Sequence, residues 1–217
     1  MGQPSIQPRF SLGAIVGEPW SPDFEMAYFR GMPLAELRER HKTHMEIFGV
    51  EAAIREHYPN PVETVMEVGC GPIGGLLSAY KGGKNRFSVE PLAVNYAREL
   101  SASDYASLEG ITLLPCFSYN IPLQDRYVDI AFCLECLDHC PDMDLFFKSQ
   151  SELARVLKPG GLLFFMLPAR DDRECGHDGH PCNPSGKEIV ASFQQLWMQV
   201  VKHNFGREGT WLILKKS

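Results

Sequence analysis

Apolar and polar positions along the chain change period several times, and the changes mark out the elements. From Asp23 to His57 the spacing is helical: Leu34, Leu37, His41, His44, Met45 and Phe48 mark one face, and Pro33 suits a first helical turn. "NPVETV" ends that pattern, and short apolar runs then alternate with helical ones. "TVMEVG" (64–69), "RFSVE" (86–90), "ITLLP" (111–115), "YVDIAFCL" (127–134) and "LLFFML" (162–167) read as strands. "YVDIAFCL" is apolar on both faces apart from Asp129, as a central parallel strand should be. Helices are expected over 74–81, over 91–101 behind Pro91, and after Asp142, where Leu145, Phe146, Leu153, Val156 and Leu157 share a face. "KPGG" (158–161) stops the last of these. A helix over 185–196 follows, and "WMQVVKHNFG" and "TWLILKK" read as two final strands joined by a tight turn at Gly206 to Gly209. The alternation predicts a doubly wound, Rossmann-like α/β fold with a mostly parallel seven-stranded sheet and an antiparallel last strand. Residues 1–60 read as an N-terminal helical extension or lid, and residues 61–217 as the main domain.

Composition narrows the partners. At 217 residues the chain is long enough for one such domain and a short extension. A formal charge of −6 argues against nucleic acid, whose affinity rests on clustered Lys and Arg. No apolar run has membrane-spanning length, and "MGQPSIQPRF" lacks the apolar core of a signal peptide. The expectation is a cytoplasmic protein without membrane or nucleic-acid partners, with a homodimer left open. The seven cysteines are then expected as free thiols.

The chemistry centres on "VMEVGCGPIGGLL" (65–77). Gly69, Gly71 and Gly74 fit G-x-G-x-x-G directly after a strand, so the backbone can approach a ligand and the next helix offers unpaired N–H groups. Glu90, at the end of the second strand, suits the ribose hydroxyls of an adenosine. These features serve a nicotinamide dinucleotide and S-adenosylmethionine equally. Glu67 favours the latter, because a negative charge two residues before the glycines suits an ammonium and a sulfonium better than a pyrophosphate.

With "EVGCG", the acidic second strand, "YVDIAFCLECLDHCPDM" and "LARVLKPGGLLFFM" together, residues 62 to 168 resemble the class I S-adenosylmethionine-dependent methyltransferases, in particular their small-molecule, type 11-like group. The resemblance implies S-adenosyl-L-methionine as cofactor and methyl transfer to a hydroxyl or amine of a small molecule. It implies that Glu67, Gly69, Cys70, Gly71 and Gly74 line the methionine part of the cofactor. Glu90 would hold the ribose, Pro91 would lie against the adenine, and Glu135 would stand at the fourth strand end. Phe117 stands where relatives often carry Asp, which leaves the adenine amine to Ser118 or a backbone carbonyl. A hydroxyl acceptor needs a base, and His139, His177 and His180 are the candidates, with His139 first because it adjoins a strand end. Cys175, His177, His180 and Cys182 lie too close together for a four-ligand zinc site, so no metal is expected. The alternatives are an NAD(P)-dependent oxidoreductase and a catalytically silent cofactor-binding module.

Overall fold

Five consecutive buried residues in Thr64–Val68 (β1) and seven in Val128–Leu134 (β4) place these two strands at the centre of the sheet. The computed structural model describes residues 22–100, 108–168, 181–182, 184–206 and 209–217. Around the central pair lie β2 (Asn85–Val89), β3 (Thr112–Leu114), β5 (Leu157–Pro168), β6 (Met198–Gly206) and β7 (Gly209–Lys216). Their order is β3-β2-β1-β4-β5-β7-β6. Pairings among β1 to β5 are parallel, and β7 runs antiparallel to both β5 and β6. Connections leave β1 for β2 on one side and reach β4 on the other, so the carboxyl ends of β1 and β4 flank the switch point where open α/β sheets bind ligands.

Side chains alternate between two cores. On one face Ala131, Cys133, Leu163 and Phe165 meet Phe146 and Leu153 of the helix Met143–Val156 (α6) and Phe193 of Gly186–Gln195 (α7). On the other, Ile130, Phe132 and Phe164 meet Leu76 and Leu77 of Gly75–Ala79 (α4). Phe48, Val50 and Ile54 from the N-terminal helices complete that second core. Asp142 and Ser185 cap α6 and α7, the latter through a full capping box with Glu188. A shorter helix, Ala93–Glu99 (α5), follows β2.

The structure departs from the sequence pattern in two places. The expected helical stretch from Asp23 to His57 is three helices: α1 (Pro22–Gly31), α2 (Leu34–Phe48) and α3 (Val50–His57). Pro33 begins α2, and Gly49, at φ 58°, turns the chain between α2 and α3 in a left-handed conformation that a side chain would strain. "KPGG" does not lie between helix and strand but belongs to β5, which starts at Leu157 opposite Val128. The register shifts between Val128 and Ile130, which brings Lys158 to Asp129.

Asp129 is the clamp at this end of the sheet. Its buried carboxylate accepts from the backbone N–H of Glu63 and Thr64, both at 2.8 Å, from Lys158 Nζ at 2.6 Å, and from the Tyr58 hydroxyl. Burial alone would raise its pKa, but Lys158 and the other donors hold it below the usual carboxylate range. Its stabilising contribution is therefore present above the unfolded carboxylate pKa and is lost as pH falls through the depressed folded value. Asp129→Asn should cost about 2–4 kcal/mol at neutral pH, since the lysine and an N–H lose their acceptor. Denaturant unfolding at pH 7 and at pH 3 checks this, and the gap between wild type and variant should narrow at the lower pH.

Candidate active site

The turn after β1 is shaped by close approaches. Gly69 sits at φ 76°, and a Cβ there would lie 2.6 Å from both Cβ and Sγ of Cys136. Gly71 sits at φ 58°, facing the Phe29 ring of α1. A 3₁₀ turn over Gly71–Ile73 leads through Gly74 into α4. Gly74 also needs its left-handed φ of 85°, but it packs against Leu108 and Ile111 and is not on the pocket wall. The third glycine of the motif thus joins the 3₁₀ turn to α4.

Glu90 ties the turn to β2. Its carboxylate accepts from Gly71 N–H and Leu92 N–H, both at 3.0 Å, and burial pushes its pKa up to about 7 against the pull of those donors. A carboxylate has about four acceptor positions, so two remain for a ligand in the pocket that Glu90 lines. Glu67 behaves differently. Both of its oxygens accept backbone N–H groups of the first turn of α4, Leu76 at 2.8 Å and Leu77 at 2.9 Å. Burial raises its pKa to about 8. Its carboxylate braces the glycine turn from beneath, so its first partner is the helix start and not a ligand. Gly75 allows this, because a Cβ there would lie 2.1 Å from Glu67 Oε1.

Gly69, Gly71 and Glu90 wall a pocket of about 720 Å³, its open mouth included. Gly69, Gly71, Glu90, Pro91, Phe117, Ser118, Glu135 and His139 all line it, so the structure brings together eight residues singled out in the sequence. Phe117 stacks on Tyr119 with ring centroids 5.1 Å apart, and Ser118 Oγ lies 2.8 Å from Ser149 Oγ. His139 ends a 3₁₀ turn, Leu137–His139, beside this pocket. His177 and His180 fall outside the described residues. Cys70 is buried, and desolvation and the nearby Glu90 and Glu67 carboxylates raise its thiol pKa, so it is no nucleophile. Among the described residues, no cluster of three or more His, Cys, Asp or Glu could hold a metal ion, and no helix is long and apolar enough to cross a membrane.

The sequence reading made residues 1–60 a lid but named no residue of α1 or α2 for the site. Glu25 and Phe29 of α1 line the first pocket. A second chamber shares Phe29, Gly69, Gly71 and Glu135 with it and is walled by Leu37, Arg40, His41 and His44. Their spacing places these four on one face of α2, the signal for a shared environment. His41 and His44 were legible only as markers of that face.

The glycine turn with its buried glutamates at a switch point has counterparts. A family model described as a methyltransferase domain matches residues 66–165. A probable methyltransferase, ltbC, from Aspergillus luteorubrus is 32% identical over 52% of this chain and 42% of its own length. A ubiquinone biosynthesis O-methyltransferase of Nitrosomonas europaea is 30% identical over 51% and 46%. The chain thus spans less than half the length of the curated relatives it matches. The fold is shared with a crystal structure of a SAM-dependent methyltransferase from Aquifex aeolicus, at a TM-score of 0.58 and 22% identity, covering 86% of this chain and 100% of that one. The domain match runs from β1 to β5 and places the glycine turn and its pocket inside a methyltransferase domain, which favours a methyltransferase over the nicotinamide alternative.

Proposed function

We propose that this protein transfers the methyl group of S-adenosylmethionine to a hydroxyl or amine of a small molecule. The observation that carries the reading is Glu90: a buried carboxylate, half satisfied by Gly71 and Leu92, facing a pocket floored by glycines. Its free acceptor positions suit two ribose hydroxyls, and Pro91, Phe117 and Ser118 beside it suit an adenine. The cofactor would supply a methyl group already activated by its sulfonium. The protein's part is to orient the acceptor, exclude water and, for a hydroxyl, take a proton.

The pocket's far wall supports a compact acceptor. Glu25 and Phe29 of α1 line it together with Glu135, His139 and Pro141. In this reading residues 1–60 act as the lid of a domain formed by 61–217. His139 is the preferred base because it sits on a short turn directly after β4. His177 and His180 are the alternates.

Three measurements test these assignments. Glu90→Ala should weaken S-adenosylhomocysteine binding by about 1.5–3 kcal/mol while the fold survives; unchanged affinity by calorimetry would remove the ribose assignment. Ribose hydroxyls donate to ionised Glu90, whose pKa in the free protein is about 7, so binding requires its deprotonation. Affinity should therefore fall about tenfold from pH 8 to pH 6, and Glu90→Gln should flatten that profile. With a hydroxyl acceptor, His139→Ala should lower turnover about a hundredfold and leave cofactor affinity within about twofold. Near-normal turnover in the folded variant would instead favour an amine acceptor or positioning alone.

A further inference from the structure

Six cysteines lie among the described residues, all of them free, and the reaction above uses none of them. Two meet each other. Cys133 of β4 and Cys136, three residues on, stand within hydrogen-bond reach, with the Cys136 thiol holding its proton against the Cys133 sulfur. Three other thiols turn elsewhere: Cys70 donates to Gly71 O at 3.2 Å, Cys182 donates to Cys140 O at 3.2 Å, and Cys140 Sγ lies 3.6 Å from Ser149 Oγ. Between the paired cysteines Glu135 has a left-handed backbone at φ 50°, rare for a residue with a side chain. Its N–H is fixed on Met166 O at 2.8 Å. The chain folds back at that residue, so a Cys-x-x-Cys stretch closes on itself instead of running on along β4.

The pair sits at the pocket wall. Cys136 lines the pocket beside Gly69, and a Cβ on Gly69 would lie 2.6 Å from both Cβ and Sγ of Cys136. Cys133 is fully buried behind it, in the core that α6 covers. One thiol is therefore reachable through the pocket mouth and the other lies beneath it, the arrangement of an attacked thiol and a resolving thiol. Glu135, between them, adds a tie to the N-terminal helices: its carboxylate accepts from Arg40 of α2, with both side chains partly exposed. A covalent change at its two neighbours thus acts on the glycine turn through Cys136 and on α2 through Glu135. The hydrogen bond to Cys133, together with burial, raises the Cys136 thiol well above its usual range, so its oxidation is slow at neutral pH and quickens as pH rises.

We propose that Cys133 and Cys136 form a thiol–disulfide site that a peroxide oxidises from the pocket side, and that the disulfide lowers the pocket's affinity for the cofactor. The Cys136 thiolate attacks hydrogen peroxide, the O–O bond breaks, and a sulfenic acid forms with loss of hydroxide. Cys133 then attacks that sulfur, and the second hydroxide leaves with the Cys133 proton as water. In sum, two thiols and one hydrogen peroxide give one disulfide and two waters, the two sulfurs losing the electron pair that the peroxide gains. A small thiol in excess reverses the bond by exchange. Forming it draws Cys136 Sγ off Gly69 towards Cys133, which loosens the glycine turn that Glu90 holds against β2. The effect on the cofactor rests on the reading of this pocket as an adenosine site; formation of the bond does not.

The test treats the full chain with hydrogen peroxide, caps the remaining thiols with iodoacetamide, and weighs the tryptic peptide 127–148, which holds Cys133, Cys136 and Cys140. That peptide should carry an internal disulfide and a single cap, on Cys140, and prior reduction should restore all three caps. A bond that includes Cys140, or three caps after peroxide, would overturn the proposal. Calorimetry on the same samples should show S-adenosylhomocysteine bound about tenfold more weakly after oxidation and recovered on reduction; unchanged affinity in the bridged protein would sever the link to the cofactor. Saturating S-adenosylhomocysteine should slow the bridging, and equal rates with and without it would contradict the route through the pocket. Cys133→Ala removes the resolving thiol but no residue of the pocket wall, so it should bind S-adenosylhomocysteine within about twofold of the reduced wild type. After peroxide it should hold Cys136 as a sulfenic acid that dimedone labels. If the reduced wild type binds no S-adenosylhomocysteine, the adenosine reading fails, and the peptide mass alone decides whether the thiol site exists.

Discussion

Everything at the carboxyl ends of the strands depends on one buried carboxylate joining two crossovers. Glu90, at the end of β2, accepts from Gly71 after β1 and from Leu92 at the start of α5. It thereby fixes the glycine turn against the second strand and sets the pocket's width. A second carboxylate, Glu67, holds the same turn from below through Leu76 and Leu77. Both are buried, and the Glu90 charge adds to what burial does to Glu67. Their raised pKa values mean that the free fold is favoured while they are protonated. That stability is lost as pH rises from the ordinary carboxylate range through about 7 and 8. A ligand that donates hydrogen bonds to Glu90 offsets part of this cost, so the strain in the free site and its capacity to bind have one origin.

The opposite end of the sheet is built on the reverse logic. Asp129 is as deeply buried, but four donors converge on it, including the Lys158 ammonium, and it stays ionised below the usual range. Nothing there is left for a ligand. One end of β4 is saturated and holds the sheet together; the other ends in Glu135, with a strained backbone and an ion pair at an opening. The polarity that open α/β sheets show between their two ends is carried here by how completely each buried carboxylate is satisfied.

Much of the fold was legible because burial on both faces leaves a plain mark on sequence. β1, β4 and the paired run in β5 are apolar almost throughout, and Asp142 signals the helix that follows it. "KPGG" misled because its glycines serve a register shift and close contact: a Cβ at Gly161 would lie 2.9 Å from the carbonyl oxygens of Asp129 and Lys158. Gly49 gave no advance sign, since its neighbours continue a helical pattern across the break. At the site, strand-end topology and the family resemblance together pointed to Glu90, Ser118, Glu135 and His139, and all four line one pocket. Glu67 was identified for its charge, but only the structure shows that α4 takes both oxygens. Arg40, His41 and His44 were invisible as site residues because nothing in the periodicity of α2 tells which neighbour its buried face meets. That depends on the left-handed turn at Gly49, which brings α2 across α4 and the glycine turn.

The most direct measurement of the central claim is a crystal structure of the protein with S-adenosylhomocysteine bound. The account predicts both ribose hydroxyls on the Glu90 carboxylate, with the adenine between Pro91 and the Phe117–Ser118 segment. An adenosine bound elsewhere, with Glu90 contacting only Gly71 and Leu92, would contradict it.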